Sequence, residues 1–234
     1  MKKTQLSIVA LLALAVAPAI TFAQEEYSGD WKYSLGADGF FGLATKDIFD
    51  GLNEKIDIGG ANFRFSARND SLFDNSAIMP EFFAVLGFGG GSYDKTTDYY
   101  HYSYGHVSHE KEEMDVYQTQ ISVGANIRWQ ANEAFALFAG ARIGLGVTRA
   151  EYDYKYDNYQ FREHESGSKS DTAVGFLYGI GLGAEYAFNE HHAITLGYDF
   201  IGSTAKPEFS DDGETVKANA QRYHVFSLGY KYTF

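Results

Sequence analysis

The chain contains no cysteine, only three prolines in 234 residues, and far fewer basic than acidic side chains. Without cysteine an exported chain of this length has no disulfides, and packing and hydrogen bonds alone must hold it. The 19 Lys and Arg against 31 Asp and Glu give a formal net charge of −12, which excludes the basic footprint of a nucleic-acid-binding protein. Beyond the first two dozen residues no apolar run approaches the roughly 20 residues of a membrane-spanning helix. Mean hydropathy is −0.29. What is plentiful is aromatic and small: 18 Tyr, 19 Phe and 25 Gly.

The first residues are read as a targeting segment and set aside. Lys2 and Lys3 precede an apolar run from Leu6 to Ala17, Pro18 breaks it, and Thr21-Phe22-Ala23 places small residues at −3 and −1 of a cleavage site. Basic, apolar, small is the order of a secretory signal peptide, and the apolar core is too short for an anchor helix. We therefore expect a cleaved signal over 1–23 and a mature domain over 24–234. Removing Lys2 and Lys3 leaves 17 basic against 31 acidic residues, or −14.

In the mature part apolar and polar residues alternate in eight separate segments. Trp31, Tyr33, Leu35, Ala37 and Phe41 share one face, and Lys32, Ser34, Gly36 and Asp38 the other. Phe63, Phe65 and Ala67 oppose Asn62, Arg64 and Ser66; Ile78 to Phe88 follows, with Glu81, Phe83 and Val85 behind. The fourth is regular from Tyr117 to Trp129, with Gln118, Gln120, Ser122, Asn126 and Arg128 opposite. Phe135–Val147 and Val174–Tyr186 set apolar residues against glycines, Arg142 and Glu185. Ile194–Phe200 opposes Thr195, Gly197 and Asp199, and His224–Phe234 opposes Ser227, Gly229, Lys231 and Thr233. Period two over about 9 to 13 residues matches a tilted strand crossing a bilayer, whereas strands of soluble sheets usually run about 5 or 6. The expectation is an all-β fold: an eight-stranded antiparallel up-and-down transmembrane β-barrel.

Short turns near Gln130–Ala134 and Asn189–His192, and a longer one near Asn69–Asn75, alternate with long polar stretches: Thr45–Lys55, Gly89–Asp115, Glu151–Asp171 and Ser203–Ala220. That asymmetry is typical of outer-membrane barrels and predicts four long extracellular loops with short periplasmic turns. An eight-stranded barrel is narrow and filled by side chains. The inward face then encloses Lys32, Asp38, Arg64, Glu81, Arg128, Arg142, Glu185, Asp199 and Lys231, charges expected to pair as a structural plug. Trp31, Trp129, Phe135, Phe188 and Phe234 are expected at the periplasmic interface, and Tyr117, Tyr198 and Phe200 at the outer one.

A last strand carrying Phe226, Leu228, Tyr230 and Tyr232 and ending on Phe234 resembles the C-terminal signal read by the barrel-assembly machinery. With eight strands, the chain resembles the small OmpA/OmpX and opacity-type barrel superfamily in its barrel domain only. The resemblance implies anchoring, adhesion or envelope integrity without choosing among them.

Four features invite chemistry. Gly179, Gly181 and Ala184 have the spacing of a dinucleotide-binding turn, but alternation continues through to Tyr186 where a helix would have to open. His101, His106 and His109 stand near Glu110, Glu112, Glu113 and Asp115, yet their spacing matches no metal-binding pattern. His224 with Ser103, Ser108 or Asp199 is the nearest approach to the catalytic sets of barrel enzymes, and no local motif accompanies it. Tyr99, Tyr100, Tyr102, Tyr104, Tyr152, Tyr154, Tyr156 and Tyr159 fall in the long connections; some alternate, so strands are expected to project past the membrane. They either pack on their own sheet or form a recognition surface.

These observations point to a non-enzymatic outer-membrane barrel serving envelope structure, with adhesion through tyrosine-rich loops. The alternatives are a narrow porin or conduit and a lipid A-modifying enzyme. No cofactor or metal is assigned. The expected partners are outer-membrane lipid and lipopolysaccharide, the assembly machinery and an extracellular protein or glycan.

Overall fold

The computed structural model describes residues 31–47, 55–70, 77–101, 105–158, 162–211 and 214–234. The expected signal peptide lies outside these residues. Ten strands follow in order: β1 (Trp31–Ala44), β2 (Ile58–Asn69), β3 (Ile78–His101), β4 (Gly105–Gln130), β5 (Phe135–Asn158), β6 (Glu163–Ala187), β7 (His192–Ser203), β8 (Glu208–Asp211), β9 (Glu214–Lys217) and β10 (Arg222–Thr233). Eight of them close a barrel in the order β1-β10-β7-β6-β5-β4-β3-β2, and β8 and β9 form a separate hairpin. Every neighbouring pair is antiparallel.

Closure follows from the first and last strands pairing. Ala37 lies opposite Tyr230 on one side and Phe63 on the other, and the row continues through Leu86, Ile121, Leu145 and Phe176. Side chains alternate across a strand, so one register places this entire row on the same side of the wall. That side is the outside: Phe63, Ile127, Val174, Ile180 and Leu228 are each more than half exposed. Water would not tolerate a continuous apolar belt around a protein, and hydrocarbon requires one. Closure also leaves no strand edge at that depth, where an unpaired backbone amide has no water to bond.

Two short turns share one device. Asn132 Oδ1 accepts hydrogen bonds from the amides of Ala134 and Phe135, both at 2.9 Å. Asn189 Oδ1 accepts from His191 at 2.9 Å and His192 at 3.0 Å. A short side chain that satisfies the backbone two and three residues on is why asparagine stands at both positions.

At the other end, three of the stretches expected as loops are built differently. Most of Gly89–Asp115 is the paired continuation of β3 and β4, and most of Glu151–Asp171 that of β5 and β6. Ser203–Ala220 contains the β8-β9 hairpin. The cause is a change of phase. Outward residues in the barrel are Tyr117, Val147 and Val174, but beyond them the apolar residues Met114, Val116, Ala150 and Tyr152 occupy the inward positions. Alternation persists there with the opposite hand, so strands continue as a four-stranded sheet above the barrel.

Candidate functional site

The interior is filled at four successive levels. Nearest the short turns, Arg128 donates two hydrogen bonds to Glu185 at 2.7 and 2.8 Å, and Lys231 donates to Glu185 at 3.0 Å and to Glu81 at 2.8 Å. Asn126 completes the chain with a 3.3 Å bond to Glu81. These side chains reach across the lumen from β3, β4, β6 and β10 and are almost fully buried. A two-pronged guanidinium–carboxylate pair fixes geometry as well as charge.

The next level mixes charge with rings. Arg142 approaches Asp199 at 3.8 Å, Asn62 donates to Asp38 at 2.7 Å, and the Arg64 guanidinium sits 4.8 Å from the centre of the Phe83 ring. Ion pairing anticipated for all nine lumen charges is therefore uneven: Asp38 accepts from an amide and Arg64 rests on an aromatic face. Lys32 stands at the mouth, half exposed, and pairs with Asp70 at 2.8 Å. The free space at this level is a cavity of about 40 Å³, enough for a few water molecules only. The lumen glycines make room for these groups. A Cβ on Gly140 would strike Asn126, and one on Gly183 would strike the Phe138 ring.

Above this the interior turns apolar. Phe40, Ala44, Ile58, Leu177, Ile201, Tyr223 and Val225 pack together inside the wall. A second cluster lies over it: Ile56, Met114, Val116, Ala150, Phe209 and Ala218, with Tyr93 and Tyr152 against it. Phe209 comes from β8, so the small hairpin caps the barrel beneath the protruding sheet. The amide of Glu208 holds the cap in place by donating to Asp171 at 2.7 Å, and Thr204 and Phe176 exchange hydrogen bonds at 2.8 and 2.9 Å. None of this cap was singled out in the sequence. Its signal was the phase change at Val116–Tyr117, where two apolar residues adjoin.

The protruding sheet has two faces of different chemistry. On the concave face, Tyr99 donates to Glu110 at 3.1 Å, Tyr152 to Glu112 at 2.7 Å and Tyr154 to Glu165 at 3.3 Å. The Tyr152 and Tyr154 rings stack at 6.2 Å, and Tyr156 accepts a 3.0 Å bond from Asn158. The Glu110 bond raises the Tyr99 hydroxyl pKa; burial, then Glu112, raises that of Tyr152. On the convex face Asp98, His109, Asp157 and His164 form one cross-strand row, with His109 bonded to Asp98 at 2.6 Å and His164 to Asp157 at 2.7 Å. The bond to His164, then that to Lys155, holds the Asp157 carboxyl below its ordinary value. Among the described residues no three such groups converge as a metal site.

The other singled-out residues separate. Tyr100 is strongly exposed on the convex side, while Tyr102, Tyr104, Tyr159 and Ser103 lie outside the described residues, as do the side chains of His101 and His106. His224 faces outward, stacked on Tyr198 and bonded to its hydroxyl at 2.7 Å, whereas its sheet partner Phe200 separates it from Asp199, which faces the lumen. Imidazole and carboxylate are thus on opposite sides of the wall and Ser108 is buried in the distant hairpin, so these three form no catalytic set. Gly179 and Gly181 lie within β6, which contradicts a dinucleotide turn. Phe226, Leu228, Tyr230, Tyr232 and Phe234 all point outward from the end of the barrel.

A family model described as outer membrane protein beta-barrel domain matches residues 7–234. No curated protein matches the chain. Among solved structures it is similar to Ail, the attachment invasion locus protein of Yersinia pestis, at 17% identity and a TM-score of 0.39, covering 87% of this chain and 99% of that one. It is similar to Neisserial surface protein A at 16% identity and 0.46, covering 86% and 97%. It is also similar to OprG from Pseudomonas aeruginosa at 15% identity and 0.44, covering 88% and 97%.

Proposed function

The chain belongs to the outer membrane protein β-barrel family, and from that premise we propose that it is a non-conducting, non-enzymatic anchor that presents its protruding sheet outside the cell for surface recognition. The observation that carries this reading is the lumen, filled in turn by the Arg128–Glu185–Lys231–Glu81 chain, the Phe40–Tyr223 cluster and the Phe209 cap. A barrel sealed at three depths offers no continuous path for solute. What remains to act is the sheet beyond it, with its tyrosines and charges. The lumen charges stabilise the anchor, and the outward aromatic series ending at Phe234 serves as the assembly signal. Lipid and lipopolysaccharide surround the belt.

The test has two arms. The refolded protein in planar bilayers is expected to give no channel events; conductance that survives removal of the hairpins would instead establish a conduit. Cells expressing the protein are expected to attach to protein- or glycan-coated surfaces, and to lose attachment when β3-β4 and β5-β6 are shortened to the barrel rim. Lipid A from these cells is expected to be unaltered, and a modified lipid A would reinstate the enzyme reading.

A further inference from the structure

The concave face of the protruding sheet says what kind of partner it suits. Above the barrel, the concave rows of β3, β4, β5 and β6 carry five acidic residues, Glu110, Glu112, Glu163, Glu165 and Asp171, against Lys95 and Lys169. On the concave side the carboxylates are interleaved with rings. Glu110 lies between Thr97 and Tyr156 in the register, and Glu112 between Lys95 and Tyr154. Each of three tyrosines donates a hydrogen bond from its hydroxyl to a carboxylate, which fixes the ring. A ring face attracts a cation, and a carboxylate alongside adds direct charge attraction.

The protein already places a cation there. The Lys169 ammonium lies over the Tyr154 ring, 5.8 Å from its centre. Tyr152, Tyr154 and Tyr156 recur at every second residue along β5, so their spacing is that of alternate side chains on an extended strand. Tyr152 is covered by Phe209, and an extended chain lying along the face above it would bring cations at the same repeat as the Tyr154 and Tyr156 rings.

We propose that the concave tyrosine–carboxylate face docks an extended polypeptide rich in arginine or lysine, whose cations take the position Lys169 holds in the free protein. This rests on the protruding sheet being a recognition surface and supplies that surface with a partner class. An anionic glycan is disfavoured by the same charge balance.

The probe is a fluorescent peptide of alternating Arg and Ser, titrated by anisotropy against the full chain refolded in zwitterionic detergent at physiological salt. An alternating Glu and Ser peptide and heparin serve as comparisons, and each variant is first checked for the heat-modifiable migration of a folded barrel. The Arg peptide is expected to bind and the Glu peptide and heparin not to. Tyr154→Leu is expected to weaken binding about two- to five-fold, the scale of one exposed cation–ring contact. Lys169→Ala, which removes the internal competitor, is expected to tighten it by about the same factor. Glu110→Gln with Glu112→Gln is expected to weaken binding more than Glu151→Gln with Asp153→Asn, the same charge change on the convex face. Equal losses from both pairs, weaker binding by Lys169→Ala, or preferential binding of heparin overturns the proposal. Where trimmed hairpins abolish cell attachment but peptide binding ignores the concave face, the partner class alone is wrong. Where trimmed hairpins leave attachment intact, the recognition reading falls with it.

Discussion

The lower and upper parts of the same four strands, β3 to β6, are built inside out relative to each other. Within the membrane β5 turns Leu137, Ile143 and Leu145 outward and encloses Arg142 among glycines. Ten residues on, the same strand turns Tyr152 and Tyr154 inward and presents Glu151, Asp153 and Lys155 on the convex face. The alternation is one pattern throughout, and the solvent outside decides its hand. Lipid draws apolar residues to the surface and leaves the charges inside, where they pair or rest on amides and rings; water reverses the sides. The row of Tyr117 and Arg149 is where the hand changes.

Five substitutions break or sharpen this comparison. The largest effect is expected from Phe234→Ala, which removes the last outward ring of the barrel half: folded, heat-modifiable protein in the outer membrane should fall sharply, while the same change at Tyr100 in the upper half leaves it intact. Equal losses at the two sites would dissolve the distinction. Glu185→Ala strips both Arg128 and Lys231 of their shared carboxylate and should cost about 3–5 kcal/mol, the usual scale for breaking a buried pair. Glu151→Ala, which removes the partly exposed partner of Arg149, should cost no more than about 1 kcal/mol. Urea unfolding in lipid vesicles measures both, and comparable values would mean the lumen is wetter than its packing implies. Tyr152→Phe keeps the ring under the cap and loses the bond to Glu112, with an expected cost of about 1 kcal/mol by the same method. No change would assign that tyrosine to packing alone.

The smallest effect is in pH, and its sign differs between the two ends. Asp70 lies just beyond β2 at the short-turn end. Burial raises its pKa, but the bonds from Lys32 and Arg68 outweigh it and hold the carboxyl below its ordinary value. A carboxyl depressed in the folded state stabilises above the unfolded pKa of about 4 and loses that contribution as pH falls through the folded value. Tyr152 is the reverse: raised first by burial and then by Glu112, it stabilises below its ordinary value of 10.0 and loses that contribution as pH climbs through the folded value. Acid should loosen the short-turn end and alkali the protruding sheet. Carbon-13 titration of Asp70 and Tyr152 in micelles reads both, and a carboxyl titrating above about 4 or a phenol at or below about 10 would reverse the assignment.

The sequence by itself determined the eight barrel strands, the face each turns to lipid, and the short turns near 130–134 and 189–192. All of these follow from local covalent geometry: side chains alternate with period two, and a short amide folds back on its own backbone. It also contained the change of phase near Val116 and Ala150, though without a partner for the inverted face those residues read as loop. Only the tertiary structure decided what meets what. Lys231 finds Glu81 from 150 residues away, Glu185 is shared between two cations, and Arg64 settles on Phe83. Phe209, in a stretch with no alternation to announce it, covers Met114 and Tyr152. The Lys231 and Glu185 contacts depend on closure of the ring and on the register at which β1 meets β10, which carry side chains across the lumen from strands that are not neighbours, whereas Arg64 and Phe83 come from the adjacent β2 and β3. Period two fixes which way each residue points, and the closed barrel fixes what it finds there.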